Sequence, residues 1–149
     1  MSHPAASSFG RRRFLVAAGL IGLALPVAAS RWSSARAEAV ARPEAIDVAT
    51  AAKLHEDGVL FVDIRRPAEF ADGCIPCAIN VELKNFDARW LEGLIEAEEP
   101  FVVYSSSQRC RRGSLCARRA LGFGYAGVFL LEQGLAGWKG AGLPVEFPG

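Results

Sequence analysis

Residues 59–70 read VLFVDIRRPAEF, and this stretch carries the first signals of the fold class. It opens with a short, continuous apolar run, which predicts a buried strand. An acid and a base, Asp63 and Arg65, follow at the end of that run, and Pro67 and Glu69 come next. In an open α/β sheet, ligands gather at the carboxyl ends of the strands. The polar residues after this strand are therefore the first place to look for a site.

Outward from this stretch, the chain alternates strand and helix signals. Further strands are predicted at 78–81, 101–104 and 128–131. Helices are predicted over 46–55, after an N-cap at Asn85, from 111 to 121 and around Trp138. This alternation predicts an α/β fold in which a parallel sheet of about four to five strands carries helices on both faces.

The order of these motifs resembles the rhodanese family. Residues 59–70 resemble its strand, its Asp-x-Arg and the turn that follows. Residues 73–80, GCIPCAIN, resemble its GHIPGAxN, with Cys74 and Cys77 in place of the His and the second Gly. Residues 121–123, 128–135, Trp138 and 142–145 resemble its closing segment. The resemblance spans residues 46–145, and it implies a rhodanese-like fold and a role in sulfur transfer.

The loop after the strand at 101–104 departs from that family. In rhodaneses this loop begins with a nucleophilic cysteine, often ends with arginine, and cradles an anion with its N–H groups. Here Ser105 stands at the cysteine position, Gln108 at a usual glycine and Cys110 at the closing arginine. Serine cannot hold a stable persulfide, so the resemblance implies an altered loop. Its expected anion-binding residues are Ser105, Ser106, Ser107, Gln108, Arg109, Cys110 and Arg111.

Two residues of the loop are candidate nucleophiles, Ser105 and Cys110. A serine needs a neighbouring general base, and the only histidine after residue 37 is His55, far from the loop in sequence. This disfavours a serine hydrolase. Cys110 lies between Arg109 and Arg111 and near the start of a predicted helix, which favours its thiolate.

Three residues are interpreted as organising the turn after the first buried strand: Asp63, Arg65 and Glu69. We expect Asp63 and Arg65 to form an ion pair with each other, and contact with a ligand is the alternative.

All four cysteines are disulfide candidates: Cys74, Cys77, Cys110 and Cys116. Cys74 and Cys77 have C-x-x-C spacing but precede a strand, which favours a structural bridge over a redox motif. Cys110 and Cys116 can pair only if Cys110 lies off the helix, because their spacing on one helix gives a rise of about 9 Å. Cross-pairing and a four-cysteine zinc site are the alternatives, and we expect neither a metal nor another cofactor.

Residues 1–37 have the organisation of a twin-arginine signal peptide. Arginines at 11–13 precede an apolar run over 14–29, and Ala35-Arg36-Ala37 forms a small-x-small cleavage site. The apolar run is shorter than the roughly 20 residues that span a bilayer, so we expect cleavage, with a retained membrane anchor as the alternative. The expected organisation is a signal at 1–37, a leader at 38–45 and a domain at 46–149, located in the periplasm.

Removal of residues 1–37 changes the formal charge from +1 to −4, because five arginines and no acid are lost. Five of the twelve remaining basic residues lie between positions 109 and 119. A concentration of positive charge on one loop and helix of an acidic domain favours a small anion over nucleic acid.

Three hypotheses follow, in this order. The first is an altered module that binds a small sulfur-containing or other anion, or a protein partner. The second is a sulfurtransferase or thiol-redox enzyme that uses Cys110. The third is a structural module stabilised by disulfides. Membrane contact is expected only through an uncleaved signal.

Overall fold

The sheet is the framework of the domain. The computed structural model describes residues 42–148, and they form a five-stranded sheet in the order β1-β5-β4-β2-β3. Every neighbouring pair is parallel. The strands are β1 (Glu44–Ile46), β2 (Leu60–Asp63), β3 (Ile79–Asn80), β4 (Phe101–Tyr104) and β5 (Val128–Leu131). The predicted α/β class and parallel sheet are confirmed.

Helices cover both faces of this sheet. They are α1 (Val48–Glu56), α2 (Pro67–Ala71), α3 (Ala88–Glu92), α4 (Arg112–Gly122) and α5 (Gly134–Gly140). The central strand β4 is buried along its whole length. Phe101 and Val103 pack in one core cluster with residues of α3 and α4, whereas Val102 and Tyr104 pack in another with residues of α1 and α5. This alternation is the two-residue period of a strand that is covered on both sides.

The first strand differs from the prediction. Residues 44–46 pair with Phe129, Leu130 and Leu131 of β5, where a leader and the start of a helix were expected. The helix begins later, at Val48, because the side chain of Asp47 accepts a hydrogen bond from the Thr50 amide at 2.8 Å and caps it. The sheet therefore begins before the predicted helix.

The predicted N-cap at Asn85 is wrong. Asn85 ends a short 3-10 turn, Leu83–Asn85, and its amide donates to the Glu82 carbonyl. Asp87 caps α3 instead, because its carboxylate accepts from the Trp90 amide at 2.9 Å. Asn and Asp are both common N-cap residues, but Asn85 is part of the 3-10 turn, so Asp87 takes the cap position.

The expected signal peptide at 1–37, its cleavage site and the first part of the leader lie outside the described residues. Within residues 42–148, no helix is both long enough and apolar enough to cross a membrane.

Candidate active site

The loop between β4 and α4, residues 105–111, lies at the carboxyl edge of the sheet and is called the active loop here. Its first two carbonyls, of Ser105 and Ser106, accept hydrogen bonds from the Leu135 and Ala136 amides of α5 at 2.9 and 3.0 Å. Gly134 makes this approach possible. Its φ is +57°, and a Cβ there would lie 2.8 Å from the Ser107 nitrogen. The start of α5 thus fixes the conformation of the active loop.

Cys110 is the sixth residue of the active loop and is half-buried. Its amide donates to the Ser107 carbonyl at 2.9 Å, and its Sγ accepts a hydrogen bond from Nε of Arg112 at 3.1 Å. Burial acts to raise the pKa of the Cys110 thiol, but the nearby Ser105 side chain and the hydrogen bond from Arg112 outweigh it and leave the pKa below its ordinary value of 9.0. The local environment therefore favours the thiolate.

Arg112 is itself held by Glu69 of α2. Its Nη1 and Nη2 donate to the two carboxylate oxygens at 2.9 and 3.1 Å, which is a bidentate pair. Ser106 joins the pair, since its hydroxyl donates to Glu69 at 3.1 Å and accepts from Arg112 at 3.2 Å. The hydrogen bonds from Arg112 hold the pKa of the Glu69 carboxyl well below its usual range. Glu69 thus orients the guanidinium that contacts Cys110.

The structure places Asp63 and Arg65 in a buried ion pair below the active loop. Nη2 of Arg65 lies 2.6 Å from the Asp63 carboxylate, and the Arg65 guanidinium also donates to the carbonyls of Glu69 and Gly73 at 2.8 and 2.7 Å. Both side chains are almost fully buried. Every polar atom of this pair has a partner, so these residues organise the turn from β2 into α2.

A cavity of about 170 Å³ is lined in part by Cys110. Its wall combines the active loop, the first turn of α4 and the end of β5. The polar residues that line it are Ser105, Gln108, Cys110, Arg111, Ser114 and Glu132. Arg112, whose guanidinium contacts Sγ of Cys110, is not among them.

The two arginines of the active loop are both exposed. Arg109 is exposed and borders a separate, shallower depression with Ser107 and Gln133. Arg111 is exposed and lines the cavity beside Cys110. Of the predicted loop residues, the structure brings Ser105, Gln108, Cys110 and Arg111 together around one cavity.

The predicted disulfides are not found. Cys74, Cys77, Cys110 and Cys116 are all free thiols. Cys116 is fully buried in the core cluster that contains other residues of α4. Ile75, the residue next to Cys74, packs in the other core cluster, on the opposite face of the sheet. Burial raises the pKa of Cys74 to about 11. Within residues 42–148, no group of three or more His, Cys, Asp or Glu side chains is placed to hold a metal ion.

Comparison with known proteins agrees with this architecture. A model of the rhodanese-like domain matches residues 47–141, which is more than half of the chain. The chain belongs to the rhodanese-like domain family. A sulfurtransferase from Allochromatium vinosum is 35% identical over 96 residues, which cover 62% of this chain and 82% of that protein. The protein YibN from Escherichia coli strain K12 is 30% identical over 96 residues, which cover 62% of this chain and 64% of that one.

The fold of this rhodanese-like domain is also found among solved structures. The solution structure of the rhodanese-like domain of the Anabaena protein Alr3790 superposes with a TM-score of 0.63 at 22% identity. The match covers 72% of this chain and 81% of that one. At this level of identity the likeness concerns the fold.

Ser105 of this rhodanese-like domain forms no hydrogen bond to a histidine or carboxylate within residues 42–148. Its side chain is buried, and its hydroxyl donates to the Cys110 carbonyl at 3.4 Å. His55, the histidine of the described region, contacts the Pro76 carbonyl at 2.8 Å and packs edge-on against Phe61 and Trp138. The ring therefore has a structural role in the core. Ser105 thus contributes a hydrogen bond to the loop.

Cys77 replaces the second Gly of the family motif and has a backbone conformation that favours glycine. It is the one residue other than glycine with positive φ in the described chain, at 59°. It stands where the motif resembled in the sequence has its second Gly, so the backbone keeps the conformation that glycine serves. The Cys77 amide donates to the Glu146 carboxylate at 2.9 Å, which stabilises this turn.

Sequence reasoning missed Arg112 as a site residue. It appeared only as one of several basic residues after the loop, and its partner Glu69 is 43 positions away in the chain. The available signal was its place in the first turn of the predicted helix. Glu69 was predicted to organise a turn, and the structure shows that it also reaches the active loop.

Proposed function

We propose that this rhodanese-like domain transfers sulfane sulfur and that Cys110 carries the sulfur as a persulfide. One observation carries the proposal: Nε of Arg112 lies 3.1 Å from Sγ of Cys110, and Cys110 also lines the cavity. A sulfur acceptor must be a thiolate that a substrate can reach. Cys110 meets both conditions, whereas Cys74 and Cys116 are buried, with thiols whose pKa is raised.

The sulfur transfer needs only a sulfur donor and an acceptor thiol. With thiosulfate as donor, the Cys110 thiolate attacks the outer sulfur atom, a new sulfur–sulfur bond forms at Sγ, and the sulfur–sulfur bond of thiosulfate breaks. Its electron pair leaves with sulfite. An acceptor thiolate then attacks the terminal sulfur of the persulfide, takes that sulfur, and restores the Cys110 thiolate. Both the persulfide and the thiolate are anions, so the Arg112 guanidinium stabilises each resting form of the cycle.

The relative from Allochromatium vinosum named a sulfurtransferase supports this class of reaction, because it aligns with this chain over most of its own length. The family's usual nucleophile position holds Ser105 in this chain. We therefore place the persulfide on Cys110, the sixth residue of the active loop, and not at the first position, where the family has its cysteine.

Sulfite release tests the proposal. The reduced protein is mixed with thiosulfate in a single turnover, and sulfite is measured per protein chain. We expect stoichiometric release from the unaltered protein and from Cys77→Ser, which removes the exposed thiol outside the loop, but none from Cys110→Ser. Release that survives in Cys110→Ser would contradict the assignment.

A second candidate function is a module that binds a small anion or a protein partner without turnover. The observation that favours it is the buried hydroxyl of Ser105 at the family's cysteine position, since a hydroxyl cannot carry the sulfur. For this candidate we expect no sulfite from the unaltered protein and release from Ser105→Cys, in which the family nucleophile is restored.

We also propose that the domain acts in the periplasm after twin-arginine export. The arginines at 11–13, the short apolar run and the Ala35-Arg36-Ala37 site support this proposal. The twin-arginine route carries proteins that are already folded.

A further inference from the structure

The cavity beside Cys110 carries two opposite charges on separate segments. Arg111 comes from the end of the active loop, and Glu132 follows directly after β5. Both side chains are exposed, and neither forms an ion pair within residues 42–148. Charges left free on the wall of a substrate cavity are available to a ligand.

The size of the cavity limits that ligand. Its volume of about 170 Å³ is well below the range of roughly 300–1,000 Å³ that is typical for drug-sized ligands. A ligand with only a few non-hydrogen atoms fits, provided that one of them is a thiol sulfur able to reach Sγ of Cys110.

We propose that the sulfur acceptor is a small zwitterionic thiol of the amino-acid type, whose carboxylate pairs with Arg111 and whose ammonium pairs with Glu132. This inference rests on the proposed function. Arginine suits the carboxylate because its planar guanidinium can donate two parallel hydrogen bonds. The two pairs together orient the third functional group, the thiol, toward the persulfide.

The transfer step is balanced without a further reactant. The acceptor thiolate attacks the terminal sulfur of the Cys110 persulfide, the bond between that sulfur and Sγ breaks, and its electron pair stays on Cys110. The product is the persulfide of the small thiol. No external oxidant or reductant takes part, because one sulfane sulfur atom moves from Cys110 to the acceptor thiol.

Glu132 allows a distinctive test, because thiosulfate, the sulfur donor used as a probe, and the zwitterionic acceptor differ in charge. Thiosulfate is a dianion, which Glu132 repels, whereas the ammonium of the acceptor is attracted. Glu132→Gln is therefore expected to speed the loading of Cys110 from thiosulfate and to slow the transfer to cysteine, by about threefold to fivefold each for an exposed charge. Arg111→Gln is expected to slow both steps.

The experiment measures the two steps separately by intact mass. Protein is loaded with thiosulfate, freed of donor, and mixed with cysteine, cysteamine, 3-mercaptopropionate or 2-mercaptoethanol at equal thiolate concentration. We expect cysteine to remove the sulfur fastest from the unaltered protein. Glu132→Gln should abolish its advantage over 3-mercaptopropionate, and Arg111→Gln its advantage over cysteamine. Glu98→Gln and Arg118→Gln, which remove one exposed charge each outside the cavity, should leave all ratios unchanged.

The outcomes separate this inference from the proposed function. If Cys110 loads but the four thiols react at rates that Glu132→Gln and Arg111→Gln do not reorder, the acceptor assignment is wrong and the sulfur transfer stands. Faster reaction with 3-mercaptopropionate than with cysteine would also overturn it. If Cys110 does not load at all, both are wrong.

Discussion

At the scale of single residues, the proposed sulfur transfer depends on what surrounds one thiol. Cys74 and Cys116 are buried, and Cys77 is exposed on the turn before β3. Cys110 alone combines access to a cavity with a guanidinium on its sulfur. The resemblance to the family pointed to Ser105, but an oxygen nucleophile needs a base that the described structure does not supply.

The Arg112 contact predicts a pH dependence. The rate of alkylation of Cys110 by iodoacetamide rises with pH as the thiol ionises, and its midpoint should lie below 9.0, because the pKa of this thiol is lowered. Arg112→Met removes a positive charge that favours the thiolate, so the midpoint should move upward by about one pH unit.

Peptide mass mapping of labelled Cys110 across a pH series measures this midpoint. Arg118→Met, on the exposed face of α4, is the matched control and should leave it in place. An unchanged midpoint in Arg112→Met would show that the guanidinium does not act on the thiol.

At the scale of elements, the sequence predicts those parts of the fold that are encoded locally. The strands at 101–104 and 128–131 were predicted with the bounds that the structure has, because short apolar runs between breaks identify buried strands. β1 was missed since it has three residues, of which only Ile46 is buried, so it carries no pattern. The contact between Glu69 and Arg112 joins α2 to α4, and no local signal encodes which elements meet.

The contact between α5 and the active loop gives a prediction about stability. Gly134→Ala should lower the free energy of unfolding by about 2 kcal/mol or more, because its φ of +57° disfavours a side chain and the new Cβ would press on the loop backbone at Ser105 and Ser107. Denaturant unfolding measures the change.

Gly140→Ala, in the same helix, is the matched control. A Cβ at Gly140 meets nothing within 4 Å, so this change should leave stability equal or raise it by up to about 1 kcal/mol through helix propensity. If the two variants have equal stability, α5 does not constrain the active loop.

At the scale of the whole molecule, charge and destination are linked. The residues after position 37 carry a formal charge of −4, yet Arg109, Arg111 and Arg112 lie in the active loop or at the start of α4, next to the carboxyl end of β4. A local concentration of positive charge favours small anions at that edge of the sheet, as we propose. The proposed destination is oxidising, and there the buried, high-pKa thiols of Cys74 and Cys116 resist reaction, because a thiol must ionise to be oxidised readily.

Export predicts the first residue of the mature protein. Cleavage after Ala37 leaves Glu38 at the N-terminus, since Ala35-Arg36-Ala37 provides small residues at the two positions that signal peptidase requires. N-terminal sequencing of the protein from the periplasmic fraction checks this. Substitution of the arginines at 11–13 by lysine should retain the protein in the cytoplasm, and a periplasmic protein that keeps Met1 would favour the membrane anchor.

The most direct test of the central claim is to locate the transferred sulfur. After treatment of the reduced protein with thiosulfate, intact mass should increase by about 32 Da, the mass of one sulfur atom, and peptide mapping should place the increase on Cys110. The gain should be absent in Cys110→Ser and present in Cys77→Ser. A protein that gains no mass, or whose gain persists in Cys110→Ser, would contradict the assignment of Cys110 as the sulfur carrier.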